Sequence, residues 1–450
     1  MNPIFKMRII VLIALITPLG LLSCGSKKAT PTLHYNQITR KICKSDTTQS
    51  YAVYLPTSYT NQKKWPVIYV FDSHGGGQFA IEHFKDAAER FGYVILGSNN
   101  SKNGQQALDH ILEIMINDAN NELSLDNNRQ YTAGFSGGGR VASYLALKLG
   151  KIKGIITCGA GLPEFDMKSV SDKFDVYAIA GLEDFNYDEV MSVAQLFDRT
   201  DWRCIVKGFN GGHEWPSPYI LSKAVLWFQL NAMKDGLIVR DTKLIEQEFD
   251  STLISCKYDV KQNQYLAAVS ECKGGISTFN GLVNIKKLHK KLLEIQESDG
   301  FHTETQKETQ LKYTGQELRN NYIAGFQQQD FAWWTNELKN LSDKINNEQD
   351  LSTKQMYKRI KGFLGIVCYS FTSSALKGND DALIQKCIGI YEIVEPQNPD
   401  CFFYKAQFMD RKNRSEEAVA ALKMAIKLGY TDLAKVKATF SKKVLQSAGF

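Results

Sequence analysis

The segment Tyr131-Thr132-Ala133-Gly134-Phe135-Ser136-Gly137-Gly138-Gly139-Arg140 constrains this chain more than any other. Its apolar start reads as a buried strand, and the glycine cluster ends that strand in a sharp turn that passes into a helix. Ser136 stands between glycines in the pattern Gly-x-Ser-x-Gly, the signature of a nucleophile elbow. A β-carbon two positions before or after the serine would collide with the neighbouring strand or helix, so Gly134 and Gly138 leave room. The helix begins at its positive end beside the serine, and the Gly137 N–H is placed to receive a developing oxyanion. An ordinary glycine-rich turn matches the same short pattern, so the flanking chain has to decide.

The flanks alternate strand and helix. Tyr51–Pro56 reads as an edge strand closing on proline, and Val67–Phe71 as a buried strand. Phe79–Phe91 follows as an amphipathic helix, Tyr93–Gly97 as a second buried strand and Ala107–Asn121 as a helix. After the elbow come a helix over Val141–Leu149, short strands over Ile152–Cys158, Val176–Gly181 and Trp202–Val206, and a closing helix over Ser217–Met233. This alternation predicts an α/β fold with a mostly parallel sheet flanked by helices, its working residues beyond the carboxyl ends of the strands.

From about Tyr51 to Asn231 the chain resembles an α/β-hydrolase, nearest the secreted esterase, polyhydroxyalkanoate-depolymerase and feruloyl-esterase-like branch. Three motifs carry the resemblance, in the family's order: Asp72-Ser73-His74-Gly75-Gly76-Gly77, the elbow, and Gly211-Gly212-His213-Glu214-Trp215-Pro216. In this fold the nucleophile is followed by the acid and then by the histidine. Of the seven histidines, His34, His74, His83 and His110 precede Ser136, and His289 and His302 fall in the later helical region. His213 remains as general base. Asp184 follows the strand Val176–Ala180 in a turn that resembles the family's Gly-x-x-Asp acid loop, with Glu183 the adjacent alternative and Asp188 a poorer one. The resemblance implies an oxyanion hole built from Gly137 and the Gly75–Gly76 turn, with His74 a structural residue of that turn. It implies ester hydrolysis through an acyl-enzyme, with no metal or organic cofactor. A serine peptidase uses the same triad.

The N-terminus predicts export. Lys6 and Arg8 precede the apolar run Ile9–Leu22, which Pro18 and Gly20 interrupt. It is short for a membrane-spanning helix, which needs roughly 20 apolar residues, and fits a signal peptide. Leu21-Leu22-Ser23-Cys24-Gly25 resembles the lipobox of bacterial lipoproteins, which implies lipidation at Cys24 and a chain anchored to a membrane of the bacterial envelope. Of the nine cysteines, the other eight form no metal-binding spacing and read as buried thiols, with Cys256 and Cys272 the first pair to test for a disulfide. The formal charge of +6 is spread along the chain. Lys286-Lys287 and Lys290-Lys291 read as a solvated helix face, so no nucleic-acid partner is expected.

Beyond Asp235-Gly236 the buried-strand runs stop and the periodicity is helical. The expected organisation is a signal peptide over 1–23, a tether over 24–45, the α/β domain over 46–236 and a helical domain over 237–450. Phe402, Ala406, Ala418, Leu422 and Ala425 resemble one tetratricopeptide repeat near 396–430, of about 34 residues, with Tyr430 where the repeat prefers proline. Ala382–Val394 fits a half repeat before it, and Trp333-Trp334 reads as core. Such helix pairs offer concave surfaces to a protein partner. A second reading therefore makes the chain a non-catalytic envelope scaffold.

Overall fold

The structure, a computed structural model, describes residues 35–165, 170, 172–198 and 200–450. The predicted signal peptide and the Cys24 lipidation site lie outside the described residues.

The first part alternates as expected: β1 (Ile38–Ile42), β2 (Ser50–Tyr54), β3 (Trp65–Phe71), α1 (Gly77–Glu82), α2 (Lys85–Phe91), β4 (Val94–Ser98), α3 (Leu108–Glu122), β5 (Leu125–Phe135), α4 (Gly137–Leu149), β6 (Ile152–Cys158), β7 (Asp175–Gly181), α5 (Tyr187–Phe197), β8 (Cys204–Phe209) and α6 (Pro218–Lys234). The eight strands form one sheet in the order β1-β2-β4-β3-β5-β6-β7-β8, antiparallel at β1–β2 and β2–β4 and parallel elsewhere. This mostly parallel sheet with flanking helices is the α/β-hydrolase architecture.

Both faces of the sheet are apolar, which is why its central strands read as unbroken hydrophobic runs. Val67, Tyr69 and Phe71 pack on one face with Leu112, Met115, Leu145 and Val190. Ile68 and Val70 pack on the other with Ala80, Ala87, Leu221 and Phe228. The side-chain period of two thus distributes one strand between two cores.

Two expectations need correction. Residues 38–42, assigned to the tether, form β1, so Tyr51–Pro56 is not the edge. The alternation in Ile38-Thr39-Arg40-Lys41-Ile42 is weak, and the strand is fixed by tertiary pairing: Lys41 Nζ lies 2.7 Å from Glu122 of α3, and the Lys44 N–H donates to Asp118 at 2.8 Å. The single helix expected over Phe79–Phe91 is two, broken at His83-Phe84.

The rest is helical: α7 (Thr242–Lys261), α8 (Tyr265–Phe279), α9 (Lys286–Gln296), α10 (Asp299–Gln328), α11 (Phe331–Asn347), α12 (Leu351–Ala375), α13 (Asp381–Val394), α14 (Pro399–Arg411), α15 (Ser415–Lys427), α16 (Leu433–Thr439) and α17 (Lys442–Ala448). Local chemistry starts many of them. The side chains of Asp241, Ser298, Asp330, Asp350 and Asp380 each accept a first-turn N–H, satisfying a donor with no intrahelical partner. The α7–α8 and α14–α15 turns share one solution. Asn263 and Asn413 adopt φ of 57° and 58°, a left-handed conformation that asparagine tolerates. Tyr430 is explained by packing: its ring stacks on Phe403 at 4.5 Å and 7°. Trp334 is fully buried and Trp333 packs beside it.

The sequence changes character between α6 and α7, but one apolar core crosses that point. Leu226, Leu230 and Met233 of α6 pack with Ile245, Phe249, Ala268 and Phe279. Leu33–Phe450 accordingly forms one compact unit. No helix among the described residues is long and apolar enough to cross a membrane.

Candidate active site

Ser136 occupies the turn between β5 and α4 with φ 53° and ψ −120°, a backbone conformation strained for a residue with a β-carbon. Its surroundings hold it there. The Ser136 N–H donates to the Cys158 carbonyl at 2.8 Å. A β-carbon on Gly134 would fall 2.2 Å from the Gly138 carbonyl oxygen, and one on Gly138 would fall 2.0 Å from that of Phe71. Both glycines are therefore required by close backbone approach.

His213 and Asp184 arrive from the loops after β8 and β7. The structure brings them together with Ser136: His213 Nε2 lies 2.9 Å from Ser136 Oγ, and His213 Nδ1 lies 2.9 Å from Asp184 Oδ1. The imidazole is flanked by the rings of Phe135 at 4.6 Å and Phe185 at 4.1 Å, which restrict its tilt. Asp184 is 1% exposed, and its Oδ1 also accepts the Asn186 N–H at 2.8 Å. Its Oδ2 is buried with no hydrogen-bond partner among the described residues. Glu183 and Asp188 pair with Lys358 and Arg319.

Gly159, which sequence reasoning passed over, closes the site from β6. Its φ is +59°, and a β-carbon there would sit 3.0 Å from Asp184 Oδ2 and 3.2 Å from His213 Cε1. Its carbonyl accepts the Asn186 side-chain N–H at 2.8 Å, fixing the residue that in turn fixes Asp184.

The turn after β3 differs from expectation. The Gly75 N–H donates to the Asp72 carbonyl at 3.1 Å, and the Gly76 N–H to Asp72 Oδ1 at 3.3 Å. Both predicted oxyanion donors are thus engaged in holding their own turn, as is the His74 N–H, 2.9 Å from Asp72 Oδ1. Burial pushes the Asp72 carboxyl up, but these bonds and the nearby His74 ring outweigh it and hold it below the usual carboxylate range. The same pairing raises His74. The structural anchor of the turn is therefore Asp72, and the His74 ring is exposed.

Asn103, in the loop after β4, is a second residue the sequence did not reveal. Its N–H donates to the Ser73 carbonyl at 2.8 Å. A β-carbon on Gly137 would fall 1.8 Å from Asn103 Oδ1 and 2.9 Å from Nδ2, so this carboxamide stands over the first residue of α4. No motif marks an asparagine in such a loop. Among the described residues, no group of three or more His, Cys, Asp or Glu is disposed to hold a metal ion.

No protein-family model matches the chain, and no curated protein matches it. Solved structures resemble it. A ferulic acid esterase is 17% identical over 43% of this chain and 96% of its own, with a TM-score of 0.38. An S-formylglutathione hydrolase from Staphylococcus aureus is 14% identical over 43% of this chain and 95% of its own, with a TM-score of 0.35. The feruloyl esterase module from Clostridium thermocellum, as an S954A mutant complexed with sinapinate, is 15% identical over 42% of this chain and 84% of its own, with a TM-score of 0.34. These neighbours are esterases and serine hydrolases. Likeness at this level carries no functional argument, which rests on the geometry above.

Proposed function

We propose that this chain is a serine hydrolase that cleaves carboxylic esters through an acyl-enzyme. The observation that carries the reading is the hydrogen-bonded line Ser136–His213–Asp184, with the serine on a strained turn that exposes its Oγ to an acyl group.

His213 Nε2 takes the Oγ proton as Oγ bonds to the carbonyl carbon. Asp184 Oδ1 keeps the Nδ1–H tautomer in place and stabilises the imidazolium. The oxyanion is received by the Gly137 N–H at the start of α4 and, in place of Gly75 and Gly76, by the Asn103 carboxamide. Rotating that group's terminal torsion by half a turn exchanges its oxygen for its N–H₂. Collapse breaks the bond to the leaving alcohol, which takes the proton from His213. A water then repeats the sequence on the acyl group, releasing the acid and restoring Ser136.

The substrate classes proposed are acylated carbohydrates, polyesters and small esters. The N-terminal sequence supports export and anchoring through Cys24 to a membrane of the bacterial envelope, and the helical half supplies a surface for a protein partner. The test is turnover of p-nitrophenyl acetate by full-length protein and by Ser136→Ala. Activity that disappears in a variant with an unchanged circular dichroism spectrum supports the reading. Full activity in that variant sinks it. Acetylated xylan, feruloyl esters and peptides then separate esterase from peptidase, and an inert wild type favours the scaffold.

A further inference from the structure

The loop that carries Asp184 is held from two sides. On the sheet side its main chain is tied to β8 and the loop after it: the Leu182 N–H donates to the Phe209 carbonyl at 2.8 Å and the Glu183 N–H to the Gly211 carbonyl at 3.0 Å. On the other side it meets α10 and α12 of the helical half. Arg359, 4% exposed, donates from Nη1 to the Leu182 carbonyl at 3.0 Å and lies over the Tyr187 ring at 4.5 Å. Arg319 donates from Nη2 to the Phe185 carbonyl at 2.9 Å and lies 3.5 Å from Asp188 Oδ2. Lys358 Nζ lies 2.7 Å from Glu183 Oε1.

These cations bracket the acid. Their partners are Leu182 and Glu183 before Asp184, and Phe185, Tyr187 and Asp188 after it. Two bonds go to main-chain carbonyls, so they fix the path of the loop and not merely its side chains. Removing a guanidinium from water is unfavourable unless its hydrogen bonds are replaced, so adhesion alone would be served as well by apolar contact. A further contact reaches the base. At Gly362 the α12 backbone lies beside Phe185, where a β-carbon would be in ordinary contact at 3.4 Å from Cδ1, and the Phe185 ring is one of the two that flank His213.

We propose that the helical half positions the catalytic acid, with Arg319, Lys358 and Arg359 as positioning residues that keep Asp184 and His213 in register with Ser136. The inference rests on the proposed hydrolase reading and assigns the helical half a part in the same reaction. The hydrolase domain then reaches full activity only with α10 and α12 docked on it.

The test uses full-length protein and begins with wild type. Labelling of Ser136 by a fluorophosphonate establishes the catalytic reading by itself; an unlabelled wild type defeats that reading and this inference with it. Given labelling, Lys358→Glu and Arg319→Gln should lower kcat and the labelling rate on the order of 10- to 100-fold, the scale set by small misplacements of reacting groups. KM for p-nitrophenyl acetate should hold, because these residues lie behind the loop. Adding Glu183→Lys to Lys358→Glu reverses the pair and should restore most of the loss. Both positions are partly exposed, so folding does not depend on them as it does on buried Arg359. Variants that label and turn over at the wild-type rate overturn the proposal, as does a reversed pair that recovers nothing.

Discussion

Replacing Asp184 by asparagine separates the two tasks that the proposed mechanism gives this residue. One task is geometric, to present an acceptor to His213 Nδ1–H. The other is electrostatic, to offset the charge of the imidazolium. In this structure Oδ1 accepts from both His213 and the Asn186 N–H, while Oδ2 faces Gly159. An asparagine has one orientation open to it: its oxygen must stay at the Oδ1 position, because an N–H₂ there would confront two donors. The imidazole tautomer is thereby retained and only the charge is lost. Unit charges 4 Å apart interact by about 4 kcal/mol at the effective dielectric of such sites. Partial charge transfer in the transition state brings the loss to about 3–4 kcal/mol, or roughly 10²- to 10³-fold in kcat. The new N–H₂ also lies where Oδ2 has no partner, and an unsatisfied buried donor costs about 1–3 kcal/mol of stability. Steady-state kinetics on p-nitrophenyl acetate and a thermal melt measure both effects. A kcat within about threefold of wild type, under half a unit of log rate, would refute the assigned role. A loss equal to that of Ser136→Ala would refute the argument that the tautomer survives.

Three other outcomes are expected. Asn103→Ala should lower kcat on the order of 10²-fold or more with KM little changed, because it removes one oxyanion donor; an unchanged kcat returns that role to the β3 turn. Cys24→Ser should move the protein from the membrane fraction to the soluble fraction on ultracentrifugation, and a variant that stays with the membrane counts against lipid anchoring. The thiols of Cys256 and Cys272 lie 3.0 Å apart on α7 and α8. In protein folded in an oxidising compartment, intact mass should be two hydrogens below that of reduced protein, with a stabilisation of about 3 kcal/mol for so short a loop; equal masses before and after reduction contradict this.

What the sequence revealed about the site was set by local constraint. The elbow is dictated by backbone clearances within a few residues of Ser136, so its glycines announce it. His213 and Asp184 follow from chain order and from glycine-rich turns at strand ends. At Gly75 and Gly76 a glycine turn shows that backbone N–H groups are clustered, but not where they point. Here Asp72, only three or four residues earlier, captures them. Gly159 and Asn103 lie on strands and loops that reach the site only through sheet order, and no short pattern carries that information. The contacts of Arg319, Lys358 and Arg359 were beyond reach for the same reason. They join helices to a loop far back in the chain, and in the sequence they look like ordinary solvated cations. The β1 strand was hidden because its partner, not its own alternation, makes it a strand.

The central claim is that Ser136 is a nucleophile activated by His213 and Asp184. Its most direct test is intact-mass and peptide mapping of full-length protein treated with a fluorophosphonate probe, beside the Ser136→Ala and His213→Ala variants. The account predicts one adduct per chain, mapped to Ser136, absent from the first variant and formed far more slowly in the second. A folded wild type that takes up no probe, or an adduct on another residue, would contradict it.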